Sequence, residues 1–291
     1  MLNALNIKAN LFGLIKLMRP KQWVKNIFVF APLVFSALFT DAASIWDTFL
    51  AAAFFCIASS AIYIINDYSD IEQDRKHPIK SKSRPLASGQ ISKSQATALL
   101  IVLFLTLFLG YFIHPEVMLV IGGYLLLNLT YTFILKHQPV IDIFTIATGF
   151  VLRVYAGAIS LSVPVSSWMF VTTLCLALFL AAVKRRQELM NNGKESRKVL
   201  EFYSIALLDK YAEMSATGAL LFYSLFVMTT RPGLVMTIPL VIFGLYRYWF
   251  IVESKNEGES PTDVLYSDRQ LLLTAIIWGT ICVWTVSPMG V

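Results

Sequence analysis

The sequence predicts an all-α, polytopic membrane protein, a bundle of about nine transmembrane helices with active-site loops on the cytoplasmic side. Of its 291 residues, 57% are hydrophobic and only 14% are charged. Soluble domains carry about a quarter charged residues. The apolar residues form segments long enough to cross a bilayer, and the basic residues lie between alternate segments. We expect residues 1–291 to form a single membrane domain.

Nine candidate spans follow one another along the chain. The first is short, and the stretch before it combines Trp23 with several basic residues, which predicts an interfacial entry that supplies the missing length. The candidate spans cover residues 26–40, 45–66, 96–113, 116–135, 139–160, 165–183, 211–230, 234–252 and 270–288.

The distribution of lysine and arginine predicts the orientation. If the N-terminus is cytoplasmic, 22 of the 24 basic residues lie on the same side, while Arg231 lies outside and Arg153 lies within a span. Cytoplasmic loops carry such an excess of positive charge. The sequence therefore predicts a multi-pass protein of the cell (inner) membrane whose N-terminus, long loops (67–95 and 184–210) and active site are cytoplasmic.

Composition also argues against several classes of protein. The three cysteines lie in apolar segments without metal-binding spacing, so neither a disulfide framework nor a zinc site is predicted. His77 and His137 are not at zinc-ligand spacing either. The formal charge of +6 is spread over the loops, so we expect no nucleic-acid partner. No small-residue cleavage site follows a short apolar run near the N-terminus, which predicts no cleavable signal.

An acidic motif follows the second span. Asp67, Asp70 and Asp74 are spaced i, i+3 and i+7, so on a helix they lie along one face, with Asn66 beside them. Carboxylates at the C-terminal end of a helix are unfavourable unless a cation balances them. Magnesium takes one or two carboxylates and completes its shell with water and phosphate oxygens. We therefore predict a Mg²⁺ site at these four residues with the three aspartates catalytic; a solvated helix end is the alternative.

The acidic motif is followed at once by a basic loop. Lys80, Lys82 and Arg84 are candidates for binding phosphate groups, and Lys25 is a further one. Each of these residues could instead serve only to set the membrane orientation.

A second basic cluster follows the sixth span. If that helix continues inward, Lys184 or Arg185 could contact a phosphate while Glu188 orients it. The alternative is again a purely topological role for these cations.

Two charged residues lie within the fifth candidate span. A charged side chain there costs several kcal/mol unless it is paired or faces a cavity. Asp142 lies near the cytoplasmic end and, with Tyr131 and Lys136 close in sequence, joins the predicted site. Arg153 lies roughly 16 Å deeper by helical rise. It either anchors a lipid phosphate or binds a buried carboxylate or carbonyl.

The residues from Asn66 to Asp74 form an NDxxDxxxD pattern, which resembles the signature of the UbiA superfamily of intramembrane prenyltransferases. Longer runs resemble the decaprenyl-phosphate phosphoribosyltransferase subgroup, and together they extend the resemblance over nearly the whole chain. These runs are RPKQWVKN (Arg19–Asn26), DRKHPIKSKSRPLASG (Asp74–Gly89), LKHQPVIDIFTIATGFVLRVYAGA (Leu135–Ala158) and KRRQEL (Lys184–Leu189).

The resemblance implies a Mg²⁺-dependent glycosyltransferase (pentosyltransferase) of cell-envelope sugar-lipid biosynthesis. It would transfer 5-phosphoribosyl from phosphoribosyl diphosphate to a polyprenyl phosphate of the decaprenyl type and release diphosphate. The acidic motif would hold Mg²⁺ on the diphosphate. The remaining phosphate groups would be bound by Lys25, Lys80, Lys82, Arg84, Lys136, Lys184 and Arg185. A homo-oligomer is compatible with the sequence, which does not determine one.

Two other functions remain open. A UbiA-type prenyltransferase that joins an isoprenoid diphosphate to an aromatic or quinone precursor would carry a second acidic motif, where this chain has Lys184, Arg185 and Arg186. A membrane transporter would show internal repeats or paired broken helices, and no convincing repeat is present. The transporter hypothesis also leaves the acidic motif beside a basic loop unexplained.

Overall fold

Helices account for all the regular structure in the described part of the chain, which confirms the predicted all-α fold. The computed structural model describes residues 2–76, 80–193, 197–255, 258 and 260–287. Short 3₁₀ helices cover Pro20–Phe30, Leu135–His137, Lys198–Phe202 and Pro232–Thr237. The α-helices are α1 Leu2–Leu17, α2 Ala31–Phe35, α3 Ala42–Ser69, α4 Ile71–Lys76, α5 Lys80–Ser83, α6 Lys93–Tyr111, α7 Pro115–Phe133, α8 Ile141–Ser160, α9 Ser167–Asn192, α10 Ile205–Thr230, α11 Ile238–Lys255, α12 Pro261–Ser267 and α13 Arg269–Val286.

Eight helical segments among the described residues are long and apolar enough to cross a membrane. They correspond to eight of the nine candidate spans, with shifted ends, and the protein is a multi-pass membrane protein; residue 288 of the last candidate span lies outside the described residues. Many large apolar side chains, such as Phe108 at 63% and Leu126 at 65% exposure, point away from the bundle, as a lipid-facing surface requires.

The prediction of a continuous first span over 26–40 is wrong. The chain forms the 3₁₀ helix Pro20–Phe30, then the five-residue α2, and turns before α3. Pro32 lies in the first turn of α2 and has no N–H to donate, so an α-helical hydrogen-bond ladder cannot run through it. A 3₁₀ helix rises about 2.0 Å per residue against about 1.5 Å in an α-helix, so the segment reaches further than its length suggests.

The 3₁₀ helix Pro20–Phe30 packs between α3 and α8, and this packing places the N-terminal cations beside the acidic motif. Around it, α3, α7 and α8 share an apolar core that includes Phe55, Ile121 and Tyr124. A second core joins α9, α10 and α11 around Phe179 and Tyr248. The C-terminal ends of α3 and α9, which carry the charged residues, lie on the same side of the bundle.

The hydrophilic loops that the sequence predicts are partly helical. The 67–95 region contains α4 and α5, and the 184–210 region begins as the last two turns of α9. The helix that we predicted to continue through residues 184–188 is therefore present. The single helix that we predicted for the acidic motif is, in contrast, interrupted within the motif. Asp70 lies between α3 and α4 with φ −98° and ψ 8°.

Candidate active site

Two buried carboxylates share one cation where α3 ends. Asp67 and Asp74 are only 2% and 4% exposed. Nη1 of Arg84 donates to Oδ1 of Asp67 at 2.7 Å and to Oδ2 of Asp74 at 2.5 Å. Nη2 of Arg19 donates to the same Asp67 oxygen. The fold thus places two carboxylate oxygens close enough to bind a single positive ion.

The other two predicted metal ligands have different partners. Oδ1 of Asn66 accepts a hydrogen bond from the hydroxyl of Thr132 on α7. The Asp70 side chain is 31% exposed, and its Oδ1 lies 3.7 Å from Nζ of Lys136. The turn at Asp70 therefore directs this residue to a different cation from the one shared by Asp67 and Asp74.

The carboxylate pair has the donor chemistry that Mg²⁺ requires. Within the described ranges, no three histidine, cysteine, aspartate or glutamate side chains converge into a group that could hold a metal. A magnesium ion needs only one or two protein carboxylates when phosphate oxygens and water complete its shell. Asp67 and Asp74 fit that requirement, since both are buried and both already contact one shared cation, Arg84, at the position that a metal ion would take.

Further cations surround the pair. Nζ of Lys80 lies 3.9 Å from Oδ1 of Asp74, and Lys82 on the same short helix α5 is exposed to solvent. Lys25, on the 3₁₀ helix, is near enough to Arg19, Arg153 and Lys184 for mutual repulsion. So many cations around two carboxylates leave excess positive charge, which suits a ligand with several phosphate groups.

A second network centres on Arg185, which is fully buried. Its Nε donates to Oδ2 of Asp142 at 2.6 Å, its Nη1 to Oε2 of Glu188 at 2.6 Å and its Nη2 to the hydroxyl of Tyr131 at 2.7 Å. All three nitrogens therefore have protein acceptors, and the ion pair explains how Asp142 is tolerated in a membrane helix. The predicted contact of Arg185 with a phosphate stays a prediction, and the geometry favours a positioning role.

Lys184 is the more accessible cation of the second cluster. Its side chain is 35% exposed, and its Nζ lies 3.9 Å from Oε1 of Glu188. Arg197 also reaches this cluster, since its Nη1 donates to the Tyr131 hydroxyl at 2.9 Å. The phenol of Tyr131 thus accepts hydrogen bonds from two guanidinium groups, and Lys184 is the residue placed to contact a ligand.

The short segment between α7 and α8 is electrostatically positive. Some loss of hydration and the nearby Lys136, Lys198 and Arg197 lower the pKa of the exposed His137, which is therefore neutral at pH 7. Tyr203 secures the start of α8: its hydroxyl donates to Oδ1 of Asp142 at 2.7 Å and accepts from the amide of Val140 at 2.6 Å.

Arg153 binds neutral acceptors inside the bundle and is 5% exposed. Its Nε donates to Oδ1 of Asn26 at 2.8 Å, its Nη1 to the carbonyl of Gly149 at 2.7 Å and its Nη2 to the hydroxyl of Tyr124 at 3.1 Å. Of the interactions that the sequence left open, the carbonyl contact is present, while none of the described carboxylates contacts Arg153.

Sequence reasoning missed several residues of these networks. Arg19 belongs to the basic stretch that the sequence assigns to an interfacial entry; the signal that could have found it is that it shares this stretch with Lys25. Thr132, Arg197 and Tyr203 had no local signal, because their partners are more than sixty residues away or on other elements. His77 lies outside the described residues.

Comparisons with known proteins agree with this architecture. Residues 28–274 match the model of the UbiA prenyltransferase family. The chain is 36% identical over 281 residues to the decaprenyl-phosphate phosphoribosyltransferase of Corynebacterium glutamicum, covering 91% of this chain and 84% of that protein. It is 35% identical over 292 residues to the enzyme of the same name from Mycolicibacterium smegmatis, covering 92% and 91%. Its fold is similar to that of a UbiA homologue from Archaeoglobus fulgidus bound to GPP and Mg²⁺, with a TM-score of 0.73, 22% identity and coverage of 96% and 100%.

Proposed function

Because the chain belongs to the UbiA prenyltransferase family, we propose that it is the transferase that moves 5-phosphoribosyl from phosphoribosyl diphosphate to a polyprenyl phosphate of the decaprenyl type. The observation that carries the proposal is the identity of 35–36% over more than nine-tenths of the chain to two enzymes named for this reaction. We place residues 1–291 in one domain, in the cell membrane, with the N-terminus and the site cytoplasmic.

The donor diphosphate binds at the Asp67–Asp74 pair. These carboxylates would hold Mg²⁺, with Asn66 and Asp70 beside them, and the bound ion would neutralise the negative charge that develops on the leaving diphosphate. Arg84 contacts both carboxylates and therefore lies where the diphosphate oxygens must approach.

Additional cations extend the donor site on both sides of Arg84. Arg19 and Lys80 also contact the carboxylate pair, so they lie where they would bind the diphosphate of a donor held there. Lys25 and the exposed Lys82 supply further positive charge for the 5-phosphate.

The acceptor phosphate binds at the end of α9. Lys184 is its principal contact, and Arg185 positions this surface through Tyr131 and Glu188, while Lys136, beside Asp70, supplies charge between the two sites. A phosphate monoester is already anionic near neutral pH, so no general base is needed. Attack opposite the departing diphosphate would invert C1 of the ribose, by analogy with glycosyl transfer. A product of retained configuration would exclude a single displacement.

The alternatives explain the described residues less well. A second metal site for an aromatic prenyltransferase would need a second acidic motif at the end of α9, where the chain instead has Lys184, Arg185 and Arg186 beside the single carboxylate of Glu188. A transport pathway lined by Asp142 and Arg153 would need side chains open to a channel, whereas both are buried and have internal partners.

A reconstituted transfer assay tests the proposal. Purified protein is incubated with radiolabelled phosphoribosyl diphosphate, decaprenyl phosphate and Mg²⁺, and label is measured in the organic phase. Transfer that requires both the lipid and the metal is the expected result. The parallel reaction offers geranyl diphosphate with 4-hydroxybenzoate instead; prenylation there without phosphoribosyl transfer would reject the proposed reaction in favour of the aromatic prenyltransferase.

A further inference from the structure

One face of α8 packs against the 3₁₀ helix Pro20–Phe30. Gly149, Arg153 and Gly157 are spaced four residues apart, so they lie along that face. We propose that these three residues, the α8 seat, position the 3₁₀ helix so that Arg19 and Lys25 face the donor diphosphate. Arg153 and Gly157 are then positioning residues for the reaction; the identity of the donor, although not the seat itself, rests on the proposed function.

Arg153 is the polar half of the seat. Its guanidinium lies against the rings of Tyr124, Phe150 and Phe55, with centroid distances of 4.9, 5.2 and 5.7 Å. Each of its three nitrogens donates to a neutral protein oxygen, and its side chain is enclosed. A buried cation without a carboxylate is costly in a membrane protein. Outside α7 and α8, this cation donates a hydrogen bond to Asn26 of the 3₁₀ helix.

Asn26 links α8 to α3 through hydrogen bonds on both sides. It is 2% exposed, accepts from Arg153, and donates through Nδ2 towards Sγ of Cys56 at 3.2 Å and Oγ of Ser59 at 3.5 Å. One turn earlier, Nε1 of Trp23 donates to Oγ of Ser60 at 3.0 Å. The 3₁₀ helix is therefore fastened on both sides at the level of Lys25.

Gly157 is the steric half of the seat. A Cβ atom on this residue would lie 1.9 Å from the carbonyl oxygen of Val29, a backbone atom of the 3₁₀ helix. Val29 is itself fully buried, so the backbone has little room to retreat. Any side chain at position 157 must push the 3₁₀ helix away from α8.

The position of the 3₁₀ helix decides where Arg19 points. Arg19 is the residue just before this helix, and its φ of 54° is in the left-handed region that residues other than glycine rarely adopt. Such strain persists only where surrounding contacts hold it. Here the Arg19 guanidinium contacts Asp67 and lies 4.9 Å from the centre of the Tyr63 ring. Releasing the helix from α8 would let Arg19 relax away from Asp67.

Gly157→Ala tests the seat, with Gly122→Ala as the matched control because a Cβ there meets nothing within 4 Å. We expect hydrogen exchange in residues 20–30 to accelerate only in Gly157→Ala. In the transfer assay its KM for phosphoribosyl diphosphate should rise about tenfold or more, the effect of one lost charge-assisted contact, while kcat and the lipid KM change little. Accelerated exchange with an unchanged donor KM, or equal behaviour of both variants, would overturn the positioning role.

Two substitutions of Asn26 separate its contact with Arg153 from its contact with α3, and they remain informative if Gly157→Ala does not fold. Asn26→Leu removes both the acceptor of Arg153 and the Nδ2 donor to α3, whereas Asn26→Asp keeps the acceptor and loses only the donor. The donor KM should rise in Asn26→Leu and stay near wild type in Asn26→Asp; equal losses would show that the contact with α3, and not the contact with Arg153, positions the helix. If wild-type protein transfers no phosphoribosyl group, the proposed function fails, and the exchange measurement still decides whether the seat holds the 3₁₀ helix.

Discussion

Nη1 of Arg84 lies 2.7 Å from Oδ1 of Asp67, and the same nitrogen also binds Asp74. A positive charge therefore already lies between the two carboxylates that would hold the metal. Under the proposed function, the two carboxylates would hold Mg²⁺ only in competition with this guanidinium, and the donor diphosphate would offer Arg84 another anionic partner. The pair would thus link metal binding to donor binding.

Arg84→Gln should strengthen metal binding in the absence of the donor. The substitution removes the competing cation from between Asp67 and Asp74, so Mn²⁺ titrated without phosphoribosyl diphosphate should bind more tightly, as measured by electron paramagnetic resonance. The donor itself should bind at least about tenfold more weakly, because a charge-assisted contact is lost. Arg75→Gln, which removes an exposed pair with Glu72, serves as the control. Weaker Mn²⁺ binding in Arg84→Gln would contradict the competition.

Asp67→Asn should reduce the transfer rate by about a hundredfold or more, because a buried carboxylate that would hold the metal is replaced by a neutral amide. The matched control is Asp47→Asn, on the same helix roughly 30 Å away by helical rise and half-exposed. Initial rates at saturating lipid measure the effect. Equal rates for Asp67→Asn and wild type would remove the carboxylate from the reaction.

Arg185→Met should destabilise the protein by about 3–5 kcal/mol, because Asp142 would be left as a buried, uncompensated charge, whereas Glu188 keeps Lys184 and Arg197. Thermal unfolding in detergent micelles measures the loss. Adding Asp142→Leu to Arg185→Met should recover part of it, since the unpaired carboxylate is then gone. Arg75→Met, in an exposed ion pair, should change stability by less than about 1 kcal/mol. A stable Arg185→Met single variant would show that this network is not structural.

Lys184→Ala should raise the KM for the polyprenyl phosphate about tenfold and leave the donor KM nearly unchanged, because Lys184 is the accessible cation at the end of α9. Lys210→Ala, which removes an exposed lysine from the start of α10, should alter neither value. Steady-state kinetics with each substrate varied in turn distinguish the two. A selective rise in the donor KM would move Lys184 to the donor site.

Much of the architecture could be predicted from local sequence. The apolar segments predict eight of the membrane helices, because a helix that faces lipid must be apolar over most of its length. The first span failed for an equally local reason that hydropathy does not detect: Pro32 prevents a continuous α-helical ladder, and the chain adopts a 3₁₀ helix before it.

In the candidate site, too, one part could be predicted from the sequence and another part could not. Sequence alone determined that acidic and basic residues would meet where the second predicted span ends, since spacing along one helix and the loop after it are local properties. Tertiary structure alone decided the pairing: Arg84 and Arg19 neutralise Asp67, Arg185 is enclosed by Asp142 and Glu188, and Arg153 holds Asn26. The physical reason is that a lysine or arginine looks the same in sequence whether it ends in solvent, in an ion pair or against a backbone carbonyl. Its partner is chosen by helices that are distant in the chain and adjacent in the bundle.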